Sequence, residues 1–131
     1  MATLTVHDET PTGRRMRSFT LSLPAEQLTV RELITHRIRD EVDAYNRAPS
    51  TAVFQGLVQP TDTEWVLNGY RMKTRRRLDP EAQLAFALQA FQANGIIVIV
   101  DDRQVDSLDE VVAVTPKTHV RFVKLVPLVG G

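Results

Sequence analysis

The chain contains no cysteine, which excludes a disulfide framework, a thiolate metal site and a cysteine nucleophile. Lysine is scarce, confined to Lys73, Lys117 and Lys124, so the positive charge is mostly arginine. Neither sign of charge is in excess, with 16 basic and 16 acidic residues, and this argues against a protein that works by global attraction to nucleic acid or membrane. No apolar run approaches the roughly 20 residues needed to span a bilayer. The start, Met1 to Val6, alternates like a strand and is not a charged region followed by an apolar one, so a cytoplasmic protein is expected. Internal repeats and low-complexity segments are absent. No serine lies in a nucleophile motif and no residues have metal-ligand spacing. His7, His36 and His119 are far apart and are expected at the surface or an edge, while Asp101, Asp102, Asp106, Asp109 and Glu110 have the look of turn and cap residues. The expectation is therefore a chain with no catalytic residue, metal or cofactor of its own. What is present suits an ordinary globule: 131 residues, 43% apolar and 24% charged, enough for one core and a single domain over 1–131.

Leu4 and Val6 alternate with polar neighbours, Asp8 to Gly13 supplies turn residues, and Phe19, Leu21 and Leu23 alternate again. This predicts a β-hairpin. The period then changes. Val30, Leu33, Ile34, Ile38, Val42 and Tyr45 fall at helical spacing, Thr29 and Glu32 have the spacing of a capping box, and Leu28 with Leu33 that of a hydrophobic staple. A helix over about 30–46 follows. From about 47 to 77, Pro49, Gly56, Pro60 and Asn68-Gly69 break the pattern, and an insertion is expected with a short strand at Val53-Phe54 and a helical turn after Thr61. Asp79-Pro80 starts a second helix with stripe residues Leu84, Leu88 and Phe91, and Asn94-Gly95 stops it. Ile96 to Val100, apolar on both faces, reads as a central strand. Ser107 to Glu110 repeats capping-box spacing and suggests a short helical turn or a 3₁₀ element crossing back under the sheet, after which a last strand runs through Val120, Phe122 and Leu125.

The segments Ile97 to Glu110 and Thr118 to Leu125, followed by Gly130-Gly131, resemble the second half of ubiquitin-like proteins, and the element order is that of the β-grasp fold. The tail, with Pro127 shortly before the diglycine, is similar to the bacterial sulfur carriers of thiamin and molybdopterin synthesis. The resemblance implies an α+β, β-grasp (ubiquitin-like) domain, a mixed sheet of 4–5 strands on a long helix, with the insertion and second helix before the central strand. It also implies that an E1-like activating enzyme, which brings the ATP and Mg²⁺, adenylates the Gly131 carboxylate. The acyl group would then pass to a protein amine as an isopeptide bond, through an E2-like transfer protein and reversibly by a deconjugating protease, or become a thiocarboxylate. Pro127 and Val129 stand where ubiquitin has arginines, Val129 replaces the small residue common in sulfur carriers, and the insertion is absent from both.

The tail has a physical logic of its own. A Gly130-Gly131 carboxylate passes where any Cβ would clash. Pro127 stiffens the approach, and Leu125, Val126, Leu128 and Val129 can dock by strand addition or in apolar pockets. A second candidate surface is the basic run Arg71, Lys73, Arg75, Arg76 and Arg77, with Trp65 and Tyr70 nearby. It reads as a solvated loop or a contact for an acidic protein in preference to a nucleic-acid site, because the global charge is balanced. Two classes of function remain open: a modifier or carrier activated at its C-terminus, and a β-grasp binding module with an unreactive tail.

Overall fold

A computed structural model describes residues 2–66 and 69–125. It is an α+β arrangement in which a mixed five-stranded sheet carries a long helix on one face. The predicted hairpin forms from β1 (Ala2–Glu9) and β2 (Arg15–Leu23). β10 (His119–Lys124) lies parallel to β1, and β7 (Ile96–Val100) and β8 (Arg103–Val105) complete the order β2-β1-β10-β7-β8. β7 is an interior strand, as its composition suggests, paired with β10 on one side and β8 on the other, with Ile96, Val98 and Val100 buried and Ile97 and Ile99 half-buried on the opposite face, while β10 occupies the middle of the sheet.

α1 (Val30–Asn46) keeps the predicted bounds. Thr29 Oγ1 accepts from the Glu32 N–H at 3.1 Å, and the Glu32 carboxylate accepts from the Thr29 N–H at 3.0 Å. Two further first-turn donors, the N–H groups of Val30 and Arg31, reach the carbonyls of Glu110 and Leu108. The segment Ser107 to Glu110 is a single turn, closed by the Glu110 N–H on the Ser107 carbonyl at 3.2 Å and not continued into a helix, and its Leu108 and Glu110 carbonyls point at α1. A two-stranded pair, β3 (Gln27–Thr29) with β9 (Val111–Ala113), brings these groups together. Thr29→Ala is expected to cost about 1 kcal/mol of unfolding free energy, measured by urea denaturation, and a neutral result would mean that the Glu110 and Leu108 carbonyls hold the turn alone.

α2 (Pro80–Gln92) begins at Asp79, whose side chain accepts from the Glu81 N–H. It ends as predicted, with Asn94 at φ 62° and the Gly95 N–H bonded to the Ala90 carbonyl, the hydrogen-bond pattern of a Schellman stop. α2 packs beside α1.

The insertion departs from expectation. The strand at Val53–Phe54 (β4) is present, but no helical turn follows Thr61. In its place β5 (Thr63–Val66) and β6 (Gly69–Met72) form with β4 a three-stranded antiparallel sheet in the order β4-β6-β5. Phe54, Leu57, Val58, Tyr70 and Met72 join the same buried cluster as Leu4, Val6, Leu21, Leu33, Ile38, Val98 and Phe122. Burying several large apolar side chains, at roughly 1.5–3 kcal/mol each, makes this segment part of the core.

Candidate functional site

Among the residues expected to carry function, Leu125 alone of the tail lies within the described residues; its N–H donates to the Gly95 carbonyl at 3.1 Å, extending the line of β10. Val126, Pro127, Leu128, Val129, Gly130 and Gly131 lie outside them. What the structure describes is the base from which the tail starts.

That base is built on charge. On β1, Ala2, Leu4, Val6 and Asp8 share the face toward α1, and on β10 Val120, Phe122 and Lys124 do. α1 answers with Arg37, which sits on the same stripe as Leu33, Ile34 and Ile38 and whose side chain has no exposed surface. Its Nη1 and Nη2 each donate to an Asp8 carboxylate oxygen at 2.6 Å, and its Nε donates to Glu41 Oε2 at 3.3 Å. The guanidinium lies 4.5 Å from the centre of the Phe122 ring and 5.1 Å from that of Phe19. This planar fork against a carboxylate is the geometry arginine supports and lysine does not.

The cluster holds the insertion. Arg17 donates to the Gln55 carbonyl, Lys124 Nζ donates to the Gly56 carbonyl at 2.9 Å, and Glu41 Oε1 accepts from the Leu57 N–H at 2.9 Å. Consecutive backbone groups of residues 55–57 are thus fastened by side chains from β2, β10 and α1. Lys124 Nζ also lies 5.4 Å from the Tyr70 ring centre. The last residue of β10 is tied in this way to the three-stranded sheet.

Burial by itself would raise the Asp8 carboxyl, but the charge and hydrogen bonds of Arg37, with Lys124 and Arg17 behind them, hold it below the ordinary carboxylate range. Glu41 goes the other way. Its burial outweighs the charge of Arg37 and the Leu57 N–H, and its carboxyl is pushed up. Burial also brings the Lys124 ammonium down to about 8, against the attraction of Asp8 and Glu41. Arg37, held between both carboxylates, stays charged throughout.

The basic run is only partly a free surface. Arg75 donates to the Pro49 carbonyl, Arg76 to the Thr61 carbonyl and Arg77 to the Asn46 carbonyl, so these arginines pin the linker before α2 at separate places. Arg71 and Lys73 are exposed, and neither has a carboxylate within 4.0 Å among the described residues. Trp65, on the edge strand β5, is 54% exposed.

The histidines correct another expectation. His36 is half-buried on α1, but His7 is only 6% exposed and meets His119 across the parallel β1–β10 pair, with His7 Nε2 2.9 Å from His119 Nδ1. Residues 112 positions apart in sequence are joined by strand pairing, which spacing cannot reveal. Among the acidic residues after β7, Asp101 sits in the turn at φ 54° and its Oδ1 accepts from the His119 N–H, whereas the Glu110 and Asp109 carboxylates form ion pairs with Arg103 and Arg31. Among the described residues no group of three or more His, Cys, Asp or Glu side chains is arranged to hold a metal ion, and no helix is long and apolar enough to cross a membrane. Comparison with protein-family models, curated proteins and solved structures gives no match to this chain.

Proposed function

We propose that this chain is a ubiquitin-like β-grasp modifier whose Gly131 carboxylate is adenylated by an E1-like activating enzyme and transferred to a protein amine. The observation that carries the reading is the strand order β2-β1-β10-β7-β8, with a parallel β1–β10 pair at its centre and α1 across one face. We read this as a β-grasp order, in which the strand leading to Gly130-Gly131 is the middle strand of the sheet, paired on both sides. A carboxylate is a poor acyl donor because oxide would have to leave. Reaction with ATP makes a Gly131 acyl adenylate and releases pyrophosphate, after which an acceptor amine or a carrier thiol displaces AMP. The enzyme supplies the ATP site, the Mg²⁺ and the thiol. This chain supplies a tail that ends in two glycines, and a base tied down by Lys124 and residues 55–57 lowers the entropy lost when the tail is bound.

The reading requires a free carboxylate at Gly131. With an E1-like enzyme from the same organism and MgATP, the chain should support exchange of labelled pyrophosphate into ATP and form an adduct sensitive to hydroxylamine. Deleting Gly131 should abolish both. Equal exchange with and without Gly131, or none with the intact chain, would sink the proposal in favour of a binding module. Conversion of the terminal carboxylate to a thiocarboxylate, in place of an isopeptide, would assign the chain to sulfur transfer.

A further inference from the structure

We propose that Ser18, His7 and His119 form a hydroxyl–imidazole–imidazole relay on the open face of the sheet, making Ser18 a nucleophile toward small activated esters and thioesters. The antiparallel β1–β2 register sets His7 directly opposite Ser18, and the parallel β1–β10 register brings His119 alongside. Ser18 Oγ lies 2.7 Å from His7 Nδ1, and His7 Nε2 lies 2.9 Å from His119 Nδ1. The ring planes are within 10° of each other with centroids 5.1 Å apart. At that nitrogen separation one ring must present an N–H and the other a lone pair.

The tautomers are therefore linked. If Ser18 Oγ–H donates to His7 Nδ1, the His7 proton is on Nε2 and is donated to His119 Nδ1, leaving the one ring proton of His119 on Nε2. Every polar atom of the chain Ser18–His7–His119 is then satisfied, and His7 Nδ1 is free to take the serine proton. This is the arrangement of nucleophile, base and orienting group that acyl transfer needs. Ser18 and His119 are exposed, so an ester can reach the hydroxyl, while His7 between them is held by both neighbours.

The surroundings keep His7 in its basic, neutral form. Burial comes first, then Arg15 from β2, His119 and Arg121 from β10, opposed by Glu9 on β1; together they bring the imidazole below its ordinary 6.5. Glu9 is itself committed, accepting from Arg15 at 3.5 Å and Arg121 at 3.4 Å. In the reaction the Ser18 Oγ–acyl carbon bond forms, the serine proton passes to His7 Nδ1, and the bond to the leaving alkoxide or thiolate breaks as His7 gives that proton to the leaving group or to solvent. Water then attacks the acyl-serine with His7 Nδ1, neutral again, taking its proton, and the proton returns to Ser18 Oγ as the acid is released. His119 is a positioning residue.

The test uses the full chain with p-nitrophenyl acetate at pH 7.5, measured against an equimolar imidazole background. p-Nitrophenolate release should accompany acetylation of Ser18, found by peptide mass mapping. The rate should rise with pH through a value below 6.5 and then level. Ser18→Ala and His7→Gln should each lower the rate on the order of 100-fold. His119→Ala should move the inflection, and His119→Gln, whose amide oxygen can accept the His7 proton, should restore part of the rate. Ser22→Ala, exposed on the same strand, should change nothing. Acetyl groups only on lysines or the N-terminal amine would overturn the proposal, as would a Ser18→Ala rate equal to that of the parent. These readouts need no activating enzyme, so they stand or fall apart from the role of Gly131.

Discussion

Arg37→Met is expected to lower the unfolding free energy by about 3–5 kcal/mol, a large share of the roughly 5–15 kcal/mol of a typical domain. Methionine fills much of the same volume, so the loss is electrostatic: Asp8 and Glu41 would remain buried with no guanidinium between them. The pH dependence distinguishes this cause from a packing defect. In the parent chain the depressed Asp8 carboxyl contributes stability that is fully present above the ordinary carboxylate range and is lost as pH falls through its lowered folded value. Glu41, whose carboxyl is raised, works in the opposite sense, and its contribution weakens as pH rises through the carboxylate range. In the variant burial acts on both carboxyls unopposed by Arg37. Both are raised, and the penalty grows as pH rises. Urea denaturation at pH 4 and pH 7 should therefore show a smaller gap between parent and variant at pH 4. Adding Asp8→Leu should recover much of the loss, since a well-packed apolar pair can replace a buried ion pair. A loss at pH 7 below about 1 kcal/mol, the value of an exposed pair, would mean that the cluster is open to water.

Gly69→Ala should cost about 3 kcal/mol, from the left-handed backbone and the crowding together. Gly69 has φ 155°, and a Cβ there would meet the Phe54 carbonyl oxygen at 2.6 Å and Val53 Cγ1 at 2.7 Å. The first contact is with backbone, so it cannot be relieved by turning a side chain. The expected damage is local, because Gly69 starts β6 and β6 is the middle strand of the β4-β6-β5 sheet. Hydrogen exchange should speed up at Phe54, Tyr70 and Met72 and remain slow at Leu4, Val6 and Val120 in the five-stranded sheet. Uniform acceleration throughout would show instead that the three-stranded sheet and the main sheet unfold as one unit, coupled through Arg17, Lys124 and Glu41.

The legible parts of the chain were those where one local rule operates without competition. The alternation of Leu4, Val6, Phe19, Leu21 and Leu23 predicted the hairpin, and the capping box at Thr29 and Glu32 predicted the start of α1 to the residue. The insertion was illegible because its strands are two to four residues long and its buried positions are few. Asn68-Gly69 between Trp65 and Tyr70 carries the dipeptide typical of hairpins, a signal outweighed by the nearby breakers. Arg37, whose charge alone would assign it to the polar face of α1, falls three residues after Ile34, in phase with the stripe. Asp8 likewise continues the phase of Leu4 and Val6. A charged residue in phase with an apolar stripe is the sequence trace of a buried ion pair, visible only if two such residues are considered together.

Local chemistry along the chain determined where the hairpin, the two helices and the strong strands begin and end, since caps, stops and periodicity act within a few residues. It also determined that a diglycine follows a β-branched run. Tertiary structure alone decided that β10 is the central strand, that Asp8 meets Arg37, that residues 55–57 are held by Arg17, Lys124 and Glu41, and that His7 meets Ser18 and His119. Each of these pairings joins residues brought together by strand register or by a helix crossing the sheet, and the free energy of such contacts depends on burial that no single segment possesses before the chain has folded.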